Sequence, residues 1–402
     1  MRRIAAVAAA LVFGAAAPAM GSAAPRVVGY WDAYSAVRGG ATPRDLPLDR
    51  LSVLDVDLSN PGADGTCGFD DDLELRTPLT ADRTVDGLPG TGIIHQLELA
   101  RAAHPRLRML AVVAQLDPAR DFAHAAATAR SRRRFVTSCI TRYIRGRYPG
   151  LGRTARVFDG IDLDWEVPHG ATARHNFTLL VREFRRQLNR VRPGLLLTAA
   201  ISAAPSTPAH FQLRQVWPSL DWIGLMAYDL HGSWSQRTTF SAPLRRSGNV
   251  PNDVTADTGV RLFLRAGVPG RRIMLGVPFF GQSYAAVAPG GDGTGINRPF
   301  TGVVTTSPFD SRGAIADADI PGQFPGAGVF HDPVAAQAWR YDPATRRVVA
   351  FDDGTTLAAK AAYTRRMGLG GMMIWEVTQD SADAPLLQAM RIGLGLPPSA
   401  AG

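Results

Sequence analysis

Eight short apolar runs recur along this chain, at residues 27–31, 51–58, 107–113, 157–164, 195–201, 222–228, 273–279 and 371–375. Several are apolar almost throughout, as strands buried on both faces are. Residues 93–103, 119–147, 173–191, 254–266, 356–367 and 385–392, between or after these runs, carry apolar side chains at the spacing of one helix face. The alternation predicts an α/β fold, a (β/α)8 TIM barrel. A doubly wound open sheet is the alternative, weakened because no GxGxxG follows the first run. One interval breaks the rhythm. A Gly/Pro-rich stretch followed by short strand-like pieces is too long for a βα loop and predicts a small α+β insertion between strands 7 and 8, at about residues 282–348.

The N-terminus reads as a leader rather than as part of the barrel. Arg2 and Arg3 precede an Ala-rich apolar segment, and small residues follow to Ala24. Residues 1–24 are expected to be a secretory signal peptide, 25–396 the barrel and 397–402 a frayed tail. A membrane anchor is the competing reading, disfavoured by the short apolar run and by Pro18. Hydrophobic content of 46% and charged content of 20% are those of a globular protein. The net charge of +9 is nearly all arginine, spread along the chain without a basic arm, so no nucleic-acid partner is expected. After leader removal no membrane association is expected either. Cys67 and Cys139 are the only cysteines; export permits a disulfide, and geometry decides whether it forms. No cofactor or metal is expected: two cysteines exclude a cysteine-based zinc site, and HExxH is absent.

The chemistry concentrates in the fourth run, Phe158-Asp159-Gly160-Ile161-Asp162-Leu163-Asp164-Trp165-Glu166. Strand side chains alternate faces, so Asp162, Asp164 and Glu166 share one face at a spacing of roughly 6.6 Å. Like charges packed so closely raise at least one pKa, which is what a general acid near neutral pH needs. Val167-Pro168 ends the strand and leaves Glu166 at its C-terminal end. Hard-cation ligation is the other use of such a row, but the spacing does not fit a calcium loop. A second acidic run, Asp70-Asp71-Asp72 with Glu74, has no strand pattern and reads as a solvated loop.

In a barrel of this kind the working residues stand at the C-terminal ends of strands. That position also holds Tyr228 and Asp229 after the sixth run and Trp375 at the end of the eighth. Taken singly, Tyr228 and Trp375 read as packing and Asp229 as a turn residue; together they favour a site.

These residues resemble glycoside hydrolase family 18, the chitinases and their relatives. Asp159-x-x-Asp162-x-Asp164-x-Glu166 matches the family's DxxDxDxE signature in full. Met226-Ala227-Tyr228-Asp229 with Trp234, Leu275-Gly276-Val277-Pro278-Phe279-Phe280-Gly281, and Gly370-Gly371-Met372-Met373-Ile374-Trp375 resemble its sixth, seventh and eighth strands. The resemblance implies a secreted hydrolase of chitin or another N-acetylglucosamine-containing polysaccharide, acting with retention through the substrate's own acetamido group. It implies Glu166 as the acid, Asp164 as partner of the acetamido N–H, Asp162 as its proton-sharing neighbour and Tyr228 as donor to the acetamido oxygen. Trp375 is implied as the floor under the sugar, and Asp229, Met226, Tyr30, Trp31 and Trp234 as further substrate contacts. Asp159, of opposite parity, is assigned a structural, supporting role.

Some positions depart from the family pattern. Val112-Val113-Ala114-Gln115 stands for SxGG, Gln282 for an arginine, and Asp55 and Asp57 for aromatic or small residues on strand 2. Two readings compete with a chitinase: an endo-β-N-acetylglucosaminidase acting on glycans or peptidoglycan, and a catalytically silent chitin-binding lectin.

Overall fold

The computed structural model describes residues 24–38, 40–68, 74, 92–115, 122–148, 152–250, 254–305 and 312–398. The leader apart from residue 24, the tail beyond residue 398 and the acidic run 70–72 lie outside these residues. The first seven strands of the barrel are Arg26–Asp32 (β1), Val53–Ser59 (β2), Arg108–Ala114 (β3), Gly160–Asp164 (β4), Leu196–Ser202 (β5), Trp222–Met226 (β6) and Ile273–Pro278 (β7). Five strands of a separate sheet follow: Phe280–Tyr284 (β8), Ala314–Ala316 (β9), Val329–Asp332 (β10), Gln337–Asp342 (β11) and Arg347–Phe351 (β12). Gly371–Trp375 (β13) then completes a closed parallel barrel in the order β1-β13-β7-β6-β5-β4-β3-β2. Closure needs a glycine at the seam. Gly371 has φ +148, and a Cβ there would lie 2.0 Å from the Arg26 carbonyl oxygen.

The helices longer than one turn are Gly92–Ala103 (α1), Phe122–Ala126 (α2), Ala129–Cys139 (α3), Gly170–Val191 (α4), Ala256–Arg265 (α5), Gly354–Arg366 (α6) and Pro385–Gly393 (α7). Helix α4 shows why they pack outward. Phe177, Leu180, Val181, Phe184 and Leu188 form one stripe, each no more than 1% exposed. Burying each such side chain contributes about 1.5–3 kcal/mol. The single helix expected over 119–147 is broken between α2 and α3. There Thr128 caps α3 by accepting the Ser131 N–H at 3.0 Å, and Ser131 donates back to Thr128. A local side chain outcompetes helix continuation at that point.

The insertion is an antiparallel sheet in the order β9-β8-β12-β11-β10, with one helical turn at Ile320–Gln323. It runs from Phe280 to Phe351, wider than the expected 282–348. It starts one residue after β7 because alternation simply continues. On β12, Val348 and Ala350 join one apolar cluster, while Val349 and Phe351 join another on the opposite face. The chain's only lysine ties this sheet to α6. Lys360 is 1% exposed and its Nζ donates to Asp352 Oδ1 at 2.7 Å.

Cys67, after β2, and Cys139, at the end of α3, form a disulfide with Cα atoms 4.9 Å apart. Nearby, Glu74 is 1% exposed and not the solvated loop residue expected. It accepts two bonds from Arg142, at 3.1 and 3.0 Å, and further bonds from Tyr143 and Tyr148. A forked guanidinium partner is what makes a buried carboxylate tolerable. Among the described residues, no helix is long and apolar enough to cross a membrane.

Inside the barrel, Val28, Val53, Leu110, Trp222 and Met274 are apolar, whereas Asp55, Asp57, Asp162 and Asp164 are buried carboxylates. Asp55 is 1% exposed and neither oxygen has a hydrogen-bond partner. Burial, then the Asp162 charge, push its carboxyl well above the ordinary 3.8.

Two outcomes are expected. Replacing both cysteines with alanine lowers stability by about 2–5 kcal/mol, measured by denaturant unfolding. For Asp55 the folded form holds its proton more tightly than the unfolded chain, so stability falls as pH rises through and above 3.8. Asp55→Asn therefore raises the unfolding free energy at neutral pH, and the gain shrinks as the pH is lowered below 3.8, read by denaturant unfolding at the two pH values.

Candidate active site

The C-terminal end of β4 organises the site. Inward positions on this strand are Asp162 and Asp164, and Glu166 follows just beyond the strand's end, exposed. Leu163 and Trp165 point the other way; Trp165 stacks on Phe122 with ring centroids 5.4 Å apart. The parity therefore comes from apolar anchors outside and carboxylates inside.

Asp162 is held from both sides. Tyr30 on β1 donates to Oδ2 at 2.8 Å, and Thr198 on β5 donates to Oδ1. Thr198 reaches it because the two residues stand in register on adjacent strands. Burial pushes the Asp162 carboxyl up to about 6, and the Thr198 and Tyr30 hydrogen bonds oppose the rise. Asp164 differs. It is 8% exposed, and its Oδ1 has no partner. Burial, then the charges of Glu166, Asp162 and Asp57, hold its carboxyl well above the usual range. One carboxylate is thus fixed and the next has a free oxygen beside an exposed glutamate.

Two aromatic groups face these acids. Tyr228 follows β6, and its hydroxyl meets only a thioether, Met373 Sδ at 3.9 Å. Gly276 makes room for it, since a Cβ there would lie 3.1 Å from the Tyr228 ring and 2.5 Å from the Leu225 carbonyl oxygen. Burial, then the Asp164 charge, raise the phenol far above its ordinary value, so it remains an O–H donor. Trp375 ends β13, half-buried, its ring centroid 5.7 Å from that of Tyr30 at a tilt of 50°. Just after it, Glu376 Oε2 accepts the Asp32 N–H at 2.7 Å and joins the start and end of the barrel across the mouth.

Met226 is partly buried against the barrel's interior cluster. Asp229 sits at φ +49 with its carboxyl exposed; Gln282 donates to its Oδ1 at 3.3 Å. The Gln282 amide oxygen is buried without a partner. Trp234 is 55% exposed on the loop after β6, a free apolar surface. Gln115 continues from β3, its N–H donating to the Asp164 carbonyl at 3.2 Å, with its side chain exposed.

Trp31 is not a sugar contact. It is 0% exposed and packs in the layer between strands and helices, with Nε1 donating to the Ala41 carbonyl at 3.2 Å. Tyr30 occupies the inward position, so its neighbour must face outward. Asp159 stands apart from the mouth, at the entry to β4. It accepts from Arg101 at 2.6 Å, Arg108 at 2.9 Å and the Met109 N–H at 3.1 Å, which ties β4 to β3 and α1. Thr198 is the site residue that motif reading missed. Its signal was a hydroxyl residue in the middle of the otherwise apolar run 195–201.

Among the described residues, no three of the His, Cys, Asp and Glu side chains group so as to hold a metal ion. What the constellation offers is an exposed acid, a buried carboxylate with a free oxygen, a phenol donor and an aromatic wall. That set suits proton transfer and charge stabilisation at a sugar's anomeric centre.

Comparison with known proteins gives the same direction. The chain matches the family described as glycosyl hydrolases family 18 over residues 26–380. It is 29% identical over 364 residues to "Chitinase 1" of Aphanocladium album, covering 88% of this chain and 81% of that protein. It is 30% identical over 350 residues to "Endochitinase 1" of Metarhizium robertsii, covering 84% of this chain and 77% of that one. In fold it is similar to the catalytic domain of a psychrophilic chitinase B from Arthrobacter TAD20, with a TM-score of 0.80, 24% identity, and coverage of 94% of this chain and 97% of that one. A match of this extent, over a closed barrel with the full carboxylate signature on its fourth strand, places the chain in glycoside hydrolase family 18.

Proposed function

We propose that this glycoside hydrolase is exported and cleaves β-1,4-linked N-acetylglucosamine polymers, chitin first among them, with retention of configuration and with the substrate's acetamido group as nucleophile. The observation that carries the reading is Asp164: a buried carboxylate whose Oδ1 is unpartnered, between exposed Glu166 and the weakly held Tyr228 hydroxyl. An empty acceptor and an available donor are what an acetamido group needs at its N–H and its carbonyl oxygen.

The steps follow from those positions. Glu166 gives its proton to the glycosidic oxygen as the bond to the leaving sugar breaks. The acetamido carbonyl oxygen attacks the anomeric carbon and closes an oxazolinium ring. Asp164 accepts the acetamido N–H and turns the group toward the carbon. Negative charge on the nearby acids stabilises the positive charge that develops on the ring, beside carboxylates that are buried. Asp162, held by Tyr30 and Thr198, supports Asp164 and takes up or returns the proton the two share. Water, deprotonated by Glu166, then opens the oxazolinium from the face the leaving group vacated, so the product keeps its configuration. Trp375 provides the wall against which the distorted sugar packs, and Trp234, Asp229 and Met226 extend the contacts.

The names of the relatives support chitin as substrate, and the basic n-region with its apolar run supports export. Glu166→Gln is expected to lower turnover of labelled chitin oligomers by about 10²–10⁴-fold while oligomer binding is kept. Activity near that of the parent would reject the acid assignment. Fully deacetylated chitosan should not be cleaved, and NMR of fresh products on chitin oligomers should show the β anomer. Cleavage of chitosan, or α product, would mean that a protein nucleophile or a directly attacking water does the work.

A further inference from the structure

Asp229, the exposed acid after β6, has φ +49. A residue with a β-carbon keeps that left-handed conformation where neighbouring contacts hold it. Ser241 supplies two of them: its Oγ accepts the Asp229 N–H at 3.3 Å, and its carbonyl oxygen accepts the Leu230 N–H at 3.0 Å. Ser241 and Ala242 are buried, and a side chain of the insertion grips them. Gln337 opens β11 and is 1% exposed. Its Oε1 accepts the Ala242 N–H at 3.2 Å, while its Nε2 donates at 2.8 Å to Oδ1 of Asp352, just after β12. The same Oδ1 accepts from Lys360 Nζ at 2.7 Å and Thr356 Oγ1 at 2.8 Å, both on α6. A backbone N–H only donates, and a carboxylate paired with an ammonium accepts. The group between them must accept on one side and donate on the other, which a primary amide does with one flat fork. Gln282 steadies the carboxyl of Asp229; Gln337 acts on the backbone that carries it.

We propose that Gln337 is a positioning residue for substrate binding: anchored through Asp352 to Lys360, it fixes the backbone at 241–242, and through Ser241 it sets the direction in which Asp229 meets the sugar chain. This rests on the reading above in which Asp229 is a substrate contact. The insertion then works as a strut under the loop after β6. Tyr284 and Thr238 tie that loop to the insertion further along, the Tyr284 hydroxyl donating to the Thr239 carbonyl at 3.0 Å and Thr238 Oγ1 to the Gly295 carbonyl at 2.7 Å. Loss of the Gln337 bonds therefore loosens the loop at Asp229 without releasing it. Because Asp229 is a binding contact and not one of the reacting groups, the effect falls on KM and leaves kcat nearly untouched.

The test is Gln337→Met, which keeps the length of the side chain and removes both hydrogen bonds. KM on labelled chitin oligomers should rise about fivefold, with kcat within about twofold of the parent. Asp229→Ala should raise KM as well, and the double variant should be no weaker than Asp229→Ala alone, since one residue acts through the other. An unchanged KM, a fall in kcat alone, or fully additive losses would overturn the proposal. Gln337→Asn, too short to span both partners, replaces the methionine variant if that one does not fold. Hydrogen exchange of the resting enzyme, read by mass spectrometry, needs no turnover. Amides of residues 229–242 should exchange about tenfold faster in the Gln337 variants while β3 and β4 keep their protection. Exchange that is unchanged there, or faster throughout the barrel, would refute the strut. If Glu166→Gln stays active, the acid assignment fails; if it is inactive while KM and exchange are unmoved by Gln337→Met, only the role of Gln337 fails.

Discussion

The structure turns on the burial of like charges. Asp55, Asp57, Asp162 and Asp164 occupy the interior of one barrel, and the charges acting most strongly on them are those of other acids. Such a cluster tolerates few negative charges at once, so protons stay on groups that water would strip. The barrel around it supplies the compensating stability. Its apolar lower interior and the helix stripes outside bury enough surface to carry a locally unfavourable centre, the usual bargain at a catalytic site. Tyr30 and Thr198 localise the strain by fixing one member, Asp162, and leave Asp164 with an oxygen to offer.

Much of this was visible in the residues themselves. Runs apolar on both faces suit central strands of a covered sheet, and their alternation with helical spacing favoured a barrel over an open sheet. Alternation put Asp162 and Asp164 on one face before any coordinates were needed, since β4 carries Ile161, Leu163 and Trp165 on the other. The same rule, applied strictly, would have sent Trp31 outward once Tyr30 was taken as inward. Its aromatic ring suggested sugar binding, but residue type is weaker information than strand parity.

What was not legible depends on contacts between distant segments. Thr198 becomes important only because registration brings it level with Asp162, 36 residues earlier. Glu74 looked solvated in a run of aspartates, yet Arg142, 68 residues later, makes it a buried anchor. The break at Thr128 could have been read locally, from a threonine whose serine three residues on completes a reciprocal cap. Apolar spacing alone ran through it, because both flanking helices present faces to the same barrel. The insertion was recognised by excess length, while its edges followed from strand pairing that no single segment encodes.

The covalent link between Cys67 and Cys139 gives the chain a property unrelated to sugars. It spans 72 positions and closes a ring that begins just past β2, includes all of β3, and ends with α3. A protease that severs any one peptide bond within that ring opens the loop without releasing a fragment. Both pieces stay attached to the same barrel, and β3 keeps its neighbours on either side. That tether converts a first nick within the ring from a lethal event into a survivable one.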